Sequence, residues 1–215
     1  MPKLFAAKIY RWTRAKLTLS FLVSIGCLCL LALLGWLSQE VLERESFSFD
    51  TTILWWLHRH SNATIDSVMT NITTLGNPEF VVPLVVVSLG LLIWSRRFWT
   101  AQILCLTCLG ALMLNQGLKL VFAKPRPQLW TPLVVEHSYS FPSGHALGSA
   151  VLYGFLAVLL ARQYPRHRIA IYAIALMIVM AIGLSRLILG VHYPTDIIAG
   201  YAVGILWLIT CVKIL

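Results

Sequence analysis

Long apolar runs separated by shorter polar segments dominate the chain. Six of the runs hold about 20 residues each, enough to cross roughly 30 Å of hydrocarbon as an α-helix. They cover residues about 18–38, 79–95, 100–121, 146–162, 169–189 and 195–213. The pattern therefore predicts an all-α integral membrane protein built as a bundle of six transmembrane helices. Because most connections are short and no internal repeat stands out, we expect a single membrane domain over residues 1–215.

The longest stretch between two predicted spans, about 40–78, has a mixed character. Its apolar residues alternate irregularly with polar ones, and Trp55 and Trp56 are of the type that rests at the headgroup level. The pattern favours one or two interfacial helices that end at Gly76-Asn77-Pro78. An ordered loop without helices remains the alternative.

Composition supports the membrane assignment and excludes a soluble domain. Of the 215 residues, 59% are hydrophobic and 12% are charged, and the mean hydropathy is +0.80. A soluble domain of this composition would expose large apolar patches. The first apolar run is also too long for a signal peptide, and no cleavage site of small residues closes it, so we interpret it as a retained helix.

The basic residues predict the orientation of the chain. Eleven of the 17 Lys and Arg residues fall in the N-terminal tail, the second-to-third and fourth-to-fifth connections and the C-terminus, without any acidic residue among them. Cytoplasmic loops of membrane proteins are enriched in this way. The N- and C-termini are therefore predicted to be cytoplasmic, and the net charge of +9 reflects topology rather than a nucleic-acid partner. The set comprises Lys3, Lys8, Arg11, Arg14, Lys16, Arg96, Arg97, Arg162, Arg166, Arg168 and Lys213.

Polar and charged residues collect at the outer ends of the third to sixth spans. Such residues are costly near hydrocarbon unless they are paired, hydrated or functional. Under the predicted topology the three segments that carry them meet at the extracytoplasmic surface. They read KLVFAKPRP, which includes Lys119, Lys124 and Arg126; FPSGH, which includes Ser143, Gly144 and His145; and SRLILGVHYPTD, which includes Ser185, Arg186, His192 and Asp196.

Three of the cations indicate a phosphate ligand. Lys119, Arg126 and Arg186 together suit a dianion or trianion, and the planar fork of arginine suits phosphate oxygens. Ser143 and Gly144 precede a predicted helix, whose first-turn N–H groups and dipole also favour an anion. A plain helix cap by Ser143 is the alternative interpretation.

His192 and Asp196 are spaced as a nucleophile and the group that orients it. Four residues apart, with Pro194 in the first turn of the last span, they allow the carboxylate to hold one imidazole nitrogen and leave the other free to attack. A capping Asp beside an unrelated histidine is the alternative. His145 lies next to the proposed anion site and is the candidate general acid for the leaving oxygen.

No metal or other cofactor is expected. The histidines, cysteines and carboxylates do not show metal-ligand spacing, and the three cations would repel a divalent ion. The five cysteines lie within predicted spans, where Cys105 and Cys108 are interpreted as packing residues.

The three segments resemble the signature of the type 2 phosphatidic acid phosphatase superfamily, whose site is shared with vanadium haloperoxidases. That signature is Lys-x6-Arg-Pro, Pro-Ser-Gly-His and Ser-Arg-x5-His-x3-Asp. It matches at Lys119 to Pro127, Pro142 to His145 and Ser185 to Asp196. The length and six spans are similar to those of small bacterial members, including phosphatidylglycerophosphate phosphatase B and undecaprenyl-diphosphate phosphatases.

The resemblance implies a membrane lipid-phosphate phosphohydrolase that acts on a phospholipid or polyprenyl diphosphate. It implies a metal-independent reaction through a phosphohistidine on His192, assisted by Asp196, with His145 protonating the leaving group. It assigns phosphate binding to Lys119, Arg126, Ser143, Gly144 and Arg186. Haloperoxidase activity with bound vanadate, or lipid headgroup binding or transport without catalysis, remain the alternatives.

Two further expectations concern residues outside the signature. Lys124 is interpreted as a surface charge that enlarges the positive field. Gly200 and Gly204 are spaced so that the last helix can pack closely on a neighbour. The sequence gives no indication of oligomeric state.

Overall fold

The computed structural model describes the backbone of residues 2–43 and 47–215 and the side chains of residues 18, 20–43 and 47–215. All regular structure within those ranges is helical, which confirms the predicted all-α membrane class. The side chains of Lys3, Lys8, Arg11, Arg14 and Lys16, used above to predict orientation, lie outside the described residues. The helices are α1 Pro2–Leu42, α2 Ser48–Arg59, α3 Ala63–Thr73, α4 Pro78–Trp94, α5 Phe98–Phe122, α6 Gly144–Gln163, α7 Arg168–Ile188 and α8 Pro194–Ile214.

Five described segments are by themselves long and apolar enough to cross a membrane. They are Ser20–Leu42, Phe98–Phe122, Gly144–Gln163, Pro165–Ile188 and Pro194–Ile214. The predicted span at about 79–95 corresponds to α4, which has only 17 residues. It reaches the required length only with α3 and the short 3-10 turn Thr74–Gly76, a pair bent by 41°. Six spans therefore result when the bent pair is counted as one.

The segment after α1 contains two helices, α2 and α3, and the chain then turns at Thr74–Asn77 into α4. We call residues Thr73–Pro78 the α3–α4 joint. Asn62 caps α3, because its side chain accepts hydrogen bonds from the backbone N–H groups of Thr64 and Ile65, each at 3.0 Å. The interfacial location of α2 and α3 stays a prediction.

Helix α6 lies at the centre of the bundle, packed against α5, α7 and α8. At the end that carries Arg96, Arg162 and Lys213, apolar side chains of α4, α5, α6 and α8 form the largest buried cluster, which includes Leu92, Leu104, Leu152, Phe155 and Cys211. This core leaves the opposite end of α6, where the helix begins, for polar residues.

Close packing of α8 on α6 depends on Gly200 and Gly204, as predicted. A Cβ at Gly200 would lie 2.7 Å from the carbonyl oxygen of Ser143, and one at Gly204 would lie 2.9 Å from that of Leu147. These two glycines therefore bring α8 against the turn that starts α6.

Four helix ends meet at this end of the bundle. Helix α5 stops where Ala123 adopts a left-handed conformation with φ of 43°. Helix α7 is followed by a turn through Gly190, whose φ is 76°, and α8 begins at Pro194, a favoured first helical residue. The backbone N–H of Ser143 donates to the carbonyl of Asp196 at 3.0 Å, which joins the starts of α6 and α8.

Substituting Gly200 with alanine should destabilise the bundle. The added methyl would contact the Ser143 backbone, which cannot move aside as a flexible side chain would, and overpacking of this kind costs about 1–3 kcal/mol. Gly148→Ala is the matched control, since a Cβ there meets nothing within 4 Å. Thermal unfolding in detergent should show a lower midpoint for Gly200→Ala only, and equal midpoints for the two variants would contradict the packing argument.

Candidate active site

His192 is the buried centre of the candidate site, with a side chain only 1% exposed. Its Nδ1 faces the Asp196 carboxylate at 3.4 Å, and its Nε2 lies 3.2 Å from Nη1 of Arg126. A guanidinium can only donate, so Nε2 accepts and the ring proton resides on Nδ1 toward Asp196. The arrangement leaves the Nε2 lone pair on the side of the cations, as a nucleophile requires.

Asp196 is held by several donors in addition to His192. Its Oδ2 accepts hydrogen bonds from the Ser140 hydroxyl and from the backbone N–H of Tyr193, the latter at 2.8 Å. Its Oδ1 pairs with the Lys124 ammonium at 2.8 Å. The carboxylate is fully buried, so these donors replace the water that it has lost.

The prediction that Lys124 is a surface charge is therefore wrong. Its side chain is only 15% exposed and bridges Asp196 and the Thr195 hydroxyl, 3.1 Å away. The spacing of Lys124 within its segment could not reveal the contact with Asp196, because Lys124 and Asp196 are 72 positions apart in the chain.

Asp50 extends the same network to α2. Its carboxylate accepts from the Thr195 backbone N–H at 3.0 Å and from the Thr195 hydroxyl at 2.7 Å. Burial raises the pKa of Asp50, and the two hydrogen bonds from Thr195 oppose that effect. Helix α2 thus caps the start of α8, the helix that carries Asp196.

The predicted cations converge on the loop between α5 and α6. The Lys119 ammonium donates to the Ser138 hydroxyl at 2.7 Å, and Nε of Arg126 donates to the Ser138 carbonyl at 2.8 Å. Nη1 of Arg126 also donates to the carbonyl of Val191 at 2.8 Å. Lys119 and Arg126 are thereby fixed next to the His192 turn.

Glu136 links two of the cations. Its carboxylate forms ion pairs with Arg186 and with Arg126, the latter at 3.5 Å. Arg186 is almost completely buried, and its Nη1 donates to the Thr73 hydroxyl at 2.8 Å. Its Nε is buried without a hydrogen-bond partner among the described residues. An unsatisfied buried donor beside two further cations is a feature that an anion would complete.

The turn that begins α6 is arranged as a helix start. The Ser143 side chain accepts from the backbone N–H of Ala146 at 3.4 Å, so it acts as a helix cap in this structure. Gly144 faces Asn115 of α5, whose Oδ1 would lie 3.0 Å from a Cβ at that position. Phosphate binding by Ser143 and Gly144 stays a prediction. Asn115 is buried. It is a polar residue inside an apolar span, and that position in the sequence could have identified it.

His145, the predicted general acid, has a partner from outside the signature. Its Nε2 lies 2.8 Å from Oδ1 of Asn77, in the α3–α4 joint. A Cβ at Gly76 would lie 2.6 Å from Cδ2 of His145, so the ring is packed directly on this joint. His145 is therefore attached to a segment about 70 residues earlier in the chain.

All predicted site residues lie at the same end of the bundle, and their catalytic and binding roles stay predictions. Sequence reasoning missed the residues that support them. These are Asp50, Thr73, Asn77, Asn115, Glu136, Ser138 and Ser140.

Comparison with known proteins identifies the family. The sequence model of the PAP2 superfamily matches residues 100–215, more than half of the chain. The chain belongs to the PAP2 superfamily. The resemblance seen in the three sequence segments is thereby confirmed.

Several PAP2 relatives match over most of their length. Phosphatidylglycerophosphatase B from Bacillus subtilis is 37% identical over 145 residues, 66% of this chain and 71% of that protein. An undecaprenyl-diphosphatase from Sulfolobus acidocaldarius is 27% identical over 167 residues, 74% of this chain and 75% of that protein.

Solved PAP2 structures share the architecture. The crystal structure of a transmembrane PAP2-type phosphatidylglycerolphosphate phosphatase from Bacillus subtilis matches with a TM-score of 0.80 and 30% identity, over 87% of this chain and 94% of that chain. Aquifex aeolicus LpxE matches with a TM-score of 0.65 and 24% identity, over 78% of this chain and 97% of that chain, which shows the fold alone.

The protonation state of His192 can be measured directly. Burial disfavours the imidazolium and lowers the pKa of His192 to about 4, although Asp196 partly opposes the shift. Nε2 should therefore stay unprotonated above that pH and become protonated only as the pH falls through it. NMR of protein labelled in histidine, with the signal assigned by its loss in His192→Ala, should show a titration midpoint well below 6.5, the ordinary value. A midpoint at or above that value would contradict this electrostatic account.

Lys124→Met should impair PAP2 chemistry although the residue is outside the signature. The buried Asp196 would lose its cationic partner and hold His192 less well. We expect kcat/KM for phosphate release to fall at least tenfold, about 1.4 kcal/mol of transition-state stabilisation. Lys213→Met, at an exposed position on α8, is the control. An undiminished kcat/KM in Lys124→Met would show that the ion pair does not support the site.

Proposed function

We propose that this PAP2 protein is a membrane lipid-phosphate phosphohydrolase. It removes the terminal phosphate of a phospholipid or polyprenyl diphosphate through a covalent phosphohistidine on His192. The observation that carries the proposal is the environment of the His192 ring, with Nδ1 toward Asp196 and Nε2 toward Arg126. A buried imidazole oriented in this way is a nucleophile facing an anion-binding site.

The cations supply the electrostatic part of the reaction. Lys119, Arg126 and Arg186 surround the loop that carries Ser138 and Glu136. The Nε of Arg186, which has no partner in the part of the chain that the structure describes, offers a donor to a phosphoryl oxygen. Donors fixed before the substrate binds stabilise the charge that redistributes in the transition state. Glu136 would give up these guanidinium groups when a phosphate binds.

The reaction proceeds in two balanced steps. Nε2 of His192 attacks phosphorus, the bond from phosphorus to the leaving oxygen breaks, and His145 transfers a proton to that oxygen. Water then attacks the phosphohistidine, His145 takes the proton from the water, and the bond from phosphorus to His192 breaks to release inorganic phosphate. Proton transfer of this kind contributes about 10²–10⁴-fold to the rate.

Metal ions have no part in the proposed reaction. The three cationic side chains already neutralise the negative charge of the phosphoryl oxygens, which a divalent cation would otherwise neutralise. The nucleophile is a histidine, so no metal-bound water is needed. Activity in excess EDTA tests this point.

The distribution of charge supports an extracytoplasmic site. Arg96, Arg97, Arg162, Arg166 and Lys213 lie at the end of the bundle opposite to His192. By the positive-inside rule that end is cytoplasmic, together with both termini.

The whole chain is proposed to work as one membrane domain. Asp50, Thr73 and Asn77 lie before residue 100, where the family match begins, yet each contacts a residue at the site. The proposed substrate class is supported by the relatives, whose names specify phosphatidylglycerophosphate and undecaprenyl diphosphate.

Phosphate release in detergent tests the proposal. Purified protein should release phosphate from at least one of phosphatidylglycerophosphate, phosphatidate and undecaprenyl diphosphate, with EDTA present. His192→Ala should lower the rate by about 10³-fold or more, because the covalent route is lost. With substrate labelled in the terminal phosphate, denaturation in detergent at alkaline pH, where the phosphorus–nitrogen bond survives, should trap label on the parent and not on His192→Ala.

His167→Ala is the matched control, since this histidine is exposed on the turn before α7. Absence of phosphate release from the whole panel, or full activity of His192→Ala, would overturn the proposal. Peroxide-dependent bromination after addition of vanadate, without phosphatase turnover, would instead favour a haloperoxidase.

A further inference from the structure

Asn77 occupies a helix-capping position but does not cap its helix. It is the residue before α4, and its side chain makes no hydrogen bond to the first-turn N–H groups of that helix. Asparagine at this position normally accepts such a bond, as Asn62 does at the start of α3. The Asn77 amide instead turns to Nε2 of His145, at 2.8 Å.

The joint that carries Asn77 is fixed against both helices that hold the site. The Tyr153 hydroxyl, on α6 about two turns after His145, donates to the Leu75 carbonyl at 2.7 Å. The Thr73 hydroxyl accepts from Arg186 on α7 at 2.8 Å. Gly76 leaves room for the His145 ring, which a Cβ would contact at 2.6 Å. Asn77 is thus held in register with His145 by three independent contacts.

We propose that Asn77 is a positioning residue that selects the tautomer of His145 and directs its Nδ1 to the reacting phosphate. The Oδ1 atom of Asn77 accepts the proton on Nε2, so that proton stays in place throughout the reaction. Only Nδ1 is then available for transfer, and it carries no hydrogen bond to any described residue. In the first step the ring starts as the imidazolium, protonated on both nitrogens, and gives its Nδ1 proton to the leaving oxygen; in the second step Nδ1 of the now neutral ring receives a proton from water.

The inference rests on the proposed function, and it deepens the role of one residue in it. Asn77 lies outside residues 100–215, the part of the chain that the family match covers. Without Asn77 the imidazolium loses the acceptor of its Nε2 proton, so Nδ1 is no longer directed to the leaving oxygen in the first step. In the second step the neutral ring could place its proton on Nδ1, a form that cannot accept from water. The loss should therefore affect proton transfer rather than phosphate binding or attack by His192.

Substrates with different leaving groups distinguish this role from a structural one. The alcohol of phosphatidylglycerophosphate needs a proton to leave, whereas the nitrophenolate of 4-nitrophenyl phosphate leaves without one. Asn77→Ala should lower kcat/KM for phosphatidylglycerophosphate by about 10–100-fold, part of the general-acid contribution. The same variant should change kcat/KM for 4-nitrophenyl phosphate by less than about threefold.

Three further variants complete the design. Asn62→Ala removes a capping asparagine in the same segment and should leave the ratio of the two kcat/KM values unchanged. Asn77→Asp keeps an acceptor oxygen of the same reach and should restore most of the lost activity. Asn77→Ser keeps the ability to cap α4, cannot reach His145, and should behave as Asn77→Ala does. Folded protein for each assay is selected by size-exclusion chromatography.

The outcomes separate the inference from the function. Equal losses on both substrates, no selective loss, or recovery by Asn77→Ser rather than Asn77→Asp would overturn the role of Asn77 while the parent remains an active phosphatase. A parent without activity on 4-nitrophenyl phosphate and on every lipid of the panel above, or a fully active His192→Ala, would instead overturn the proposed function.

Discussion

The site depends on the contacts made by the buried carboxylate of Asp196. A charge without access to water must be met by donors, and here they come from different parts of the chain: His192 and Tyr193 before α8, Ser140 in the α5–α6 loop, and Lys124. Each donor is also fixed in place by the carboxylate. Because the Asp196 carboxylate needs all of these donors, the segments that carry them meet at this end of the bundle. The apolar core lies at the other end and leaves room for them.

The same need for polar partners extends to Arg186 and His145. Arg186 is buried, and its guanidinium is shared by Glu136 and Thr73. His145 is held by Asn77. Of these partners, Thr73 and Asn77 lie in the α3–α4 joint, so the joint contacts both Arg186 and His145. The bend between α3 and α4 is what brings these polar residues to the bundle end, where a straight helix would continue past it.

Sequence reasoning found what is local or periodic. The helices follow from runs of apolar residues, the His192 and Asp196 pair from a spacing of four, and the close approach of α8 from Gly200 and Gly204. It failed for Lys124, whose partner is far along the chain, and for the loop of Glu136, Ser138 and Ser140, which has no repeating pattern. Asn77 was noted only as part of a helix break. Its actual contact depends on the angle between two helices, which no short sequence pattern specifies.

Under the proposed function, the Nε of Arg186, which has no hydrogen-bond partner among the described residues, has a consequence for the end of the catalytic cycle. The free-energy cost of removing this N–H group from water is already present in the folded protein, so a phosphate bound there would gain a hydrogen bond at little further cost. That gain does not distinguish the lipid from inorganic phosphate, which therefore also binds favourably. Product release is then the step at risk of slowing turnover. Glu136, the carboxylate that pairs with Arg186 and Arg126, would then compete with the departing phosphate and speed its exit.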